Sequence, residues 1–352
     1  MNIQENVEVK PFSKLKVGGQ FRYFIEITNK EEIPNLISLL NGDKKYNNIP
    51  IFILGGGSNT VFSDGVINVI AIKISIKGFE IINDTGEFTD IKIGAGEDWD
   101  EVVKKTLDMN LSGLESLSYI PGVVGSSPVQ NIGAYGTEVK DTIIEVEVID
   151  RKTGIISSLS NKDCEFKYRD SIFKNTAKGK YIITSVTYRL NKNKLAKDSN
   201  AFKYEGIRNY FKDSNLDDLK LKDIREAVIT LRKKFLLDPN EVPNLGSFFI
   251  NPIVDNDIVD KIVEEFPEAK TKFWPEANGL KTKIPVGWLI DKAGLRGKSF
   301  QNGKVTLYEN NAIVLTNTGN ATFSDVILAR DEVIRIVKEK FGIEIKQEPE
   351  IV

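Results

Sequence analysis

The apolar positions of this chain change period along its length. Over Gln20–Thr28 (QFRYFIEIT) they read as a strand, and Ile49–Leu54 (IPIFIL) is a continuous run that predicts a buried strand ending at a glycine loop. Between them, Asn29–Leu40 has the spacing of a short helix. Val61–Ser75 is β-branched without helical period. In Glu97–Asn110 the side chains of Trp99, Val102, Val103 and Thr106 fall near one helical face. Ser112–Val139 holds four glycines after Tyr119 and two prolines, so it cannot be one regular element. Thr142–Leu159 predicts a hairpin turning near Thr153-Gly154, Tyr181–Leu190 another strand, and Asn191–Asn200 (NKNKLAKDSN) a linker.

From Leu221 the period is helical: Leu221, Ile224, Val228, Leu231 and Phe235 form one apolar stripe. Further helices are predicted at Asp255–Phe266, at Val286–Gly294 and over Ser324–Gly342, the last with Ser324 as its cap and Gly342 as its stop. Ile343–Lys346 predicts a short strand before the terminal QEPEIV. Strands and helices come in blocks, which gives an α+β class and not a strict βαβ alternation.

Composition narrows the chemistry. A net charge of −2 over 352 residues supplies no field for nucleic acid or for an anionic membrane, and no run approaches a membrane span. The N-terminus lacks an apolar core of signal-peptide length, so a cytoplasmic protein is expected. The single cysteine, Cys164, excludes an intramolecular disulfide and reads as a small apolar residue. There is no histidine at all. A Ser-His triad and an imidazole metal site are therefore excluded, and one cysteine cannot build thiolate zinc; no metal is expected. Proton transfer falls to Ser, Tyr, Lys or carboxylates, and redox chemistry to an organic cofactor.

Four segments could carry such chemistry, each with a structural alternative. Gly55, Gly56, Gly57, Ser58 and Asn59 follow a buried strand, where bare backbone N–H groups can approach a pyrophosphate. They lack the dinucleotide and P-loop spacings, and the alternative is a tight strand-to-strand turn. Ile120–Gly136 carries Gly122, Gly125, Gly133 and Gly136, hydroxyls at Ser126 and Ser127, and amides at Gln130 and Asn131. Long apolar loops of this kind are usually functional. Tyr168–Ser171 offers an arginine fork, Arg169, or else an internal Arg169–Asp170 pair. Glu348 and Glu350 flank Pro349, as a fixed carboxylate pair or as solvated tail.

These segments occur in one order with GSFFINP (Gly246–Pro252), GWLIDKAGLRG (Gly287–Gly297) and NAIVLTN (Asn311–Asn317). From about residue 12 onward that series closely resembles the UDP-N-acetylenolpyruvoylglucosamine reductases (UDP-N-acetylmuramate dehydrogenases) of bacterial cell-wall precursor synthesis. The resemblance implies FAD in a fold like that of the vanillyl-alcohol oxidases, and NADPH as hydride donor. It implies a UDP-linked enolpyruvyl sugar as the substrate that is reduced.

Residue by residue, the resemblance assigns Arg169 and Glu350 to stabilising an enolate, and Ser247 to donating a proton. It gives Gly55–Asn59 and Gly122, Gly125, Ser126, Ser127, Ile132, Ala134 and Tyr135 to the flavin. On the substrate side it places Tyr168, the covering Tyr204 of the longer family type, Asn251 and Asn311. Phe235 stands where a lysine is common, so Lys234, or Lys233, is the candidate for the diphosphate. It also implies a three-lobed α+β flavoenzyme: residues 1–75, completed by a strand at 342–352, and residues 76–220 for FAD, with an α+β substrate lobe at 221–341. A monomer is expected. A different flavin enzyme on the same fold, or a nucleotide-sugar binder without redox chemistry, remains open at this point.

Overall fold

The structure, a computed structural model, describes residues 2–276 and 279–352. It divides into two compact units. The first comprises Met1–Val7, Phe21–Gly56 and Asn68–Arg232; the second comprises Glu8–Gln20, Gly57–Ile67 and Lys233–Val352.

In the first unit, a four-stranded sheet runs in the order Gln4–Glu8, Gln20–Ile27, Val66–Ile74, Ile51–Leu54. Its last two strands are parallel, with Leu54 opposite Lys73, and the glycine loop follows directly. A five-stranded antiparallel sheet runs Ile156–Ser160, Ile143–Asp150, Tyr181–Asn191, Phe88–Gly94, Phe79–Asp84. Its central strand Tyr181–Asn191 is buried over most of its length, Thr184, Ser185 and Thr187 included. Helix α1 (Glu32–Gly42) buries Ile33, Leu36, Ile37 and Leu40, and α2 (Trp99–Asp108) buries Trp99, Val102, Val103, Thr106 and Leu107. Two more helices follow, α3 (Glu205–Tyr210) and α4 (Leu221–Phe235). The α4 stripe ends early: Leu221, Ile224, Ala227 and Val228 are buried, whereas Phe235 is 41% exposed. Cys164 packs in this core, and burial pushes its thiol up to about 12.

The lysine- and asparagine-rich stretch Asn191–Asn200 is not a linker. It folds into short 3-10 turns, Ala196–Asp198 and Asn200–Lys203, that bury Ala196 and Ala201. Ser199 beside them donates to the buried Glu115 carboxylate at 2.7 Å. Small apolar residues between the charges anchor it.

Glu147 is another buried carboxylate of this unit. Burial alone would raise its pKa, but hydrogen bonds from Lys92, Thr184 and Lys30 at 2.7, 2.6 and 3.1 Å outweigh that and hold it at about 2. The folded pKa lies below the ordinary 4.5, so this contribution is present above about pH 4.5 and lost as pH falls through about 2. A Glu147→Gln variant is therefore expected to melt well below the parent at pH 7. The gap should narrow steadily below about pH 4.5 in thermal scans.

The second unit has a four-stranded sheet ordered Asn244–Ser247, Val314–Asn317, Val305–Leu307, Ser299–Phe300, and a three-stranded one ordered Ile253–Asp255, Lys281–Lys283, Trp274–Pro275. Helices α5 (Asn256–Glu265), α6 (Val286–Lys292) and α7 (Phe323–Phe341) complete it. Trp288 of α6 packs among Phe266, Phe273 and Phe341. The cap of α7 is Thr322, not Ser324. The Thr322 hydroxyl accepts from the Asp325 N–H and the Asp325 carboxylate accepts from the Thr322 N–H, a reciprocal box that needs the acid three residues on. Gly342 ends the helix at φ +70 as expected. Ile343–Ile345 is not strand; pairing is confined to Lys346–Gln347 and Glu350–Ile351.

Candidate active site

Within the first unit the two glycine segments lie directly on each other. A Cβ added at Gly55 would meet Ser126 Oγ at 2.2 Å, and one at Gly56 would meet the Gly122 Cα at 2.8 Å. Only glycine permits that approach. The peptide N–H groups of Gly55, Gly56 and Gly122 have no carbonyl partner among the described residues, the donor set a diphosphate needs. The loop is docked on the start of α2: Gly125 N–H donates to Ala95 O at 2.8 Å, Val124 N–H to Glu97 O at 2.9 Å, and Trp99 N–H to Gly122 O at 3.1 Å. Ser127 differs from its neighbours. It is buried, with its hydroxyl 2.8 Å from that of buried Tyr188, so its side chain belongs to the core.

Farther along, Gly133–Ala134 and Thr137–Glu138 form a hairpin. Tyr135 and Gly136 turn it with φ +47 and +77, the two left-handed positions a tight hairpin requires. Ala134 and Ile132 lie half-buried beside it. The Tyr135 ring meets that of exposed Tyr204 edge-on at 5.0 Å. Burial pushes the Tyr135 phenol up to about 12, so it stays protonated as a donor.

Tyr168 and Arg169 tip a second tight turn. Lys167 and Asp170 close it with reciprocal hydrogen bonds of 3.0 and 3.1 Å. Buried Asn131 braces it, donating from Nδ2 to Lys167 O at 3.0 Å and accepting at Oδ1 from Lys140 N–H at 3.1 Å. Its amide is thus structural. Arg169 holds φ +54, donates from Nη2 to Gly133 O at 2.8 Å, and lies 5.3 Å from the Tyr168 ring. The Asp170 carboxylate accepts from Ser171 N–H and Asn175 Nδ2.

Residue-type reasoning passed over Arg232. Its Nε donates to Tyr119 O at 3.1 Å, and its guanidinium feels Tyr135, Asp100, Tyr119 and Arg169. Burial lowers its pKa, though an arginine keeps its charge. The helical period carried the signal. Arg225 and Arg232 are seven apart and flank the buried stripe of α4, whereas Lys233 and Lys234 point outward and are exposed. Lys234 has its ammonium 5.5 Å from the Phe235 ring.

The second unit contains Gly57, Ser58, Asn59, Lys234, Ser247, Asn251, Asn311 and Glu350. Ser247 ends a strand with one extra residue against its partner: Asn244 faces Thr316 and Ser247 faces Val314. Gly246, at φ +70 in this bulge, donates its N–H to Asn244 Oδ1 at 2.8 Å. Bulges of this kind re-aim a side chain. A Cβ at Gly246 would meet nothing within 4 Å, so its backbone angle, more than close packing, requires glycine.

Beyond Ser247 the strands continue into the C-terminus. Phe249 and Ile250 pair with Gln347 and Lys346, and Glu348 N–H donates to Phe248 O at 2.9 Å. Glu350 N–H then donates to Asn59 O at 3.0 Å, and Glu350–Ile351 run parallel to Thr60–Val61. The Arg330 guanidinium of α7 donates to Gln347 Oε1, whose amide in turn donates to Pro349 O at 2.8 Å. Glu350 thus pairs beside Asn59, and the segment that follows Ser247 pairs with the one that precedes Glu350, with Glu350 exposed. The terminal acids are no loose tail. Asn251 accepts from Val286 N–H at 2.9 Å through Oδ1, and Asn311 braces a turn through Tyr308 and Val314. The Asn311 bonds to Tyr308 and Val314 are made by its backbone, while its Oδ1 accepts from Ile313 N–H at 3.5 Å.

Residues 21–160 match an FAD binding domain, and residues 238–352 match the C-terminal domain of UDP-N-acetylenolpyruvoylglucosamine reductase. The UDP-N-acetylenolpyruvoylglucosamine reductase of Flavobacterium johnsoniae is 39% identical over 352 residues, all of both chains. That of Bdellovibrio bacteriovorus is 38% identical over 349 residues, 99% of each. The chain belongs to the UDP-N-acetylenolpyruvoylglucosamine reductase family. It is an oxidoreductase, with an FAD-binding domain joined to the reductase C-terminal domain in an α+β architecture. The crystal structure of the Thermus caldophilus reductase shares that fold, with a TM-score of 0.67 and 21% identity over 100% of this chain and 99% of the other. Among the described residues, no helix is long and apolar enough to cross a membrane, and no group of three or more His, Cys, Asp or Glu is placed to hold a metal.

Proposed function

We propose that this protein uses NADPH and FAD to reduce the enolpyruvyl ether of UDP-N-acetylglucosamine enolpyruvate to the lactyl ether of UDP-N-acetylmuramate. The observation that carries the reading lies in the unit matching the reductase C-terminal domain. There the residue after Ser247, Phe248, accepts at its carbonyl from the N–H of Glu348, two residues before Glu350, which joins the two segments. The cofactor part rests on the glycine cradle of Gly55, Gly56 and Gly122 inside the FAD-binding match. When bound, FAD supplies the hydride, which it receives from NADPH.

The chain's own residues supply the rest. Hydride addition at C3 of an enol ether leaves enolate charge on C2 and the adjoining carboxylate. In this reading Arg169 presents N–H donors to that carboxylate. Glu350 shares in stabilising the enolate through a proton, its own or a partner's. The Ser247 Oγ hands its proton to C2. A neutral hydroxyl is a weak acid, and it serves because the enolate beside it is a strong base. Tyr168 would lie near the enolpyruvyl group, Tyr204 would cover the substrate, and Lys234, Asn251 and Asn311 would contact its UDP side.

The division into FAD-binding parts at residues 1–75 with 342–352 and 76–220, and a substrate part at 221–341, belongs to the same proposal. So do a cytoplasmic location, a monomeric state and the absence of nucleic-acid or membrane partners.

The purified protein is expected to be yellow, absorbing at about 450 nm, and under anaerobic conditions to oxidise NADPH beyond the amount that reduces its own flavin only when the enolpyruvyl sugar is added. A colourless protein that binds the UDP-sugar would sink the reading in favour of a binding role. A yellow protein indifferent to this substrate would favour another flavin reaction.

A further inference from the structure

We infer that Asp100 and Arg225 are positioning residues that hold the cofactor loop through the Tyr119 peptide, an inference that rests on the FAD reading above. Asp100 stands in the first turn of α2, where the Asp98 cap accepts its N–H at 3.0 Å. Its Oδ1 accepts the Tyr119 N–H at 2.5 Å and Arg225 Nη1 at 2.6 Å, and its Oδ2 accepts Arg225 Nη2 at 2.7 Å. The side chains of Arg225 and Asp100 are only 14% and 24% exposed. Burial works against the Asp100 charge, but the Arg225 fork and the Tyr119 N–H outweigh it and keep the carboxyl below its ordinary range.

The other side of the same residue is held as well, because Arg232 Nε donates to Tyr119 O. Arginines two turns apart on α4 therefore grip one residue, Arg225 through Asp100 at its N–H and Arg232 directly at its carbonyl. Tyr119 needs that grip. It sits at φ +60, a left-handed conformation that a side chain of its size disfavours.

The consequence reaches the glycine cradle within three residues. Pro121 follows, with its own φ fixed, and then Gly122, whose carbonyl is held by Trp99 N–H and whose Cα is the close neighbour of Gly56. A plain ion pair would fasten α4 to α2 and stop there. This carboxylate also fixes where the loop begins, and with it where Gly122 lies and where the remaining donors of Arg232 point.

The test uses Asp100→Asn, Arg225→Lys, Arg225→Met and the Asp100→Asn/Arg225→Met double variant. FAD affinity is read by flavin fluorescence, and hydrogen exchange is followed in the protein as purified. Asn cannot serve the fork and the peptide together. Asp100→Asn is expected to weaken FAD binding by about tenfold or more and the double variant no further, since the two act as one unit. Arg225→Lys should fall between wild type and Arg225→Met, and Tm should stay within about 5 °C of wild type. Faster exchange should be confined to the segment around Tyr119–Gly122.

Unchanged FAD affinity in Asp100→Asn would overturn the inference. So would exchange rising evenly through α2 and the five-stranded sheet, the mark of a merely structural pair. A wild-type protein that takes up no FAD would instead remove the cofactor reading, and this inference with it.

Discussion

Replacing Ser247 by alanine is expected to leave the bleaching of bound flavin by NADPH unchanged and to slow its reoxidation by the enolpyruvyl sugar at least ~10²-fold. The structure makes this a clean substitution. Ser247 is half-buried at the end of a bulged strand, and the bulge is set by Gly246 and the Asn244 side chain, not by the serine. Losing one oxygen there is expected to cost within about 0.5 kcal/mol of stability. The neighbouring Phe248 and Phe249 are buried and keep the strand seated. The split between half-reactions is the informative part. A proton donor to C2 acts only on the second half, whereas a residue that merely shapes the site would slow both alike. Equal slowing would take the proton from Ser247 and leave it a positional role.

Arg169→Lys is expected to lower turnover by about 10²-fold or more despite keeping the positive charge, equivalent to about 3 kcal/mol in the barrier. One arm of the fork, Nη2, already serves the Gly133 carbonyl at 2.8 Å. That bond fixes the direction of the whole guanidinium. A lysine ammonium is a point charge on a flexible stem and cannot hold Gly133 and a carboxylate in one plane. The turn itself is maintained by Asn131, Lys167 and Asp170, so folding should survive. Near-normal turnover in a well-folded Arg169→Lys variant would remove Arg169 from the chemistry.

Much of this was legible before any fold was known, and the failures have physical causes. Strands with a clear period, such as Gln20–Ile27 and Tyr181–Asn191, stood out because burial imposes their pattern. The stretch Asn191–Asn200 misled because composition reports solvent affinity, while Ala196 and Ala201 are small enough to bury without an apolar run. Ser324 looked like a cap because hydroxyls cap helices, but Thr322 alone has an acid at the third position to answer it. The resemblance implied a terminal strand at Glu350, but its partner, Thr60–Val61, lies nearly the whole chain away and no local pattern names it. Arg232 could have been found. Its place on the inner side of α4 follows from the period that defined the stripe, and attention to the exposed lysines beside it hid that. Ser127 was beyond sequence reasoning, since only the fold shows its hydroxyl facing Tyr188.

The most direct test is an anaerobic titration in two steps, followed by absorbance at about 450 nm. NADPH alone should bleach the bound flavin, and UDP-N-acetylglucosamine enolpyruvate should then restore the colour while yielding UDP-N-acetylmuramate in equal amount. Flavin that NADPH bleaches but the enolpyruvyl sugar leaves reduced, in protein shown to bind that sugar, would contradict the account.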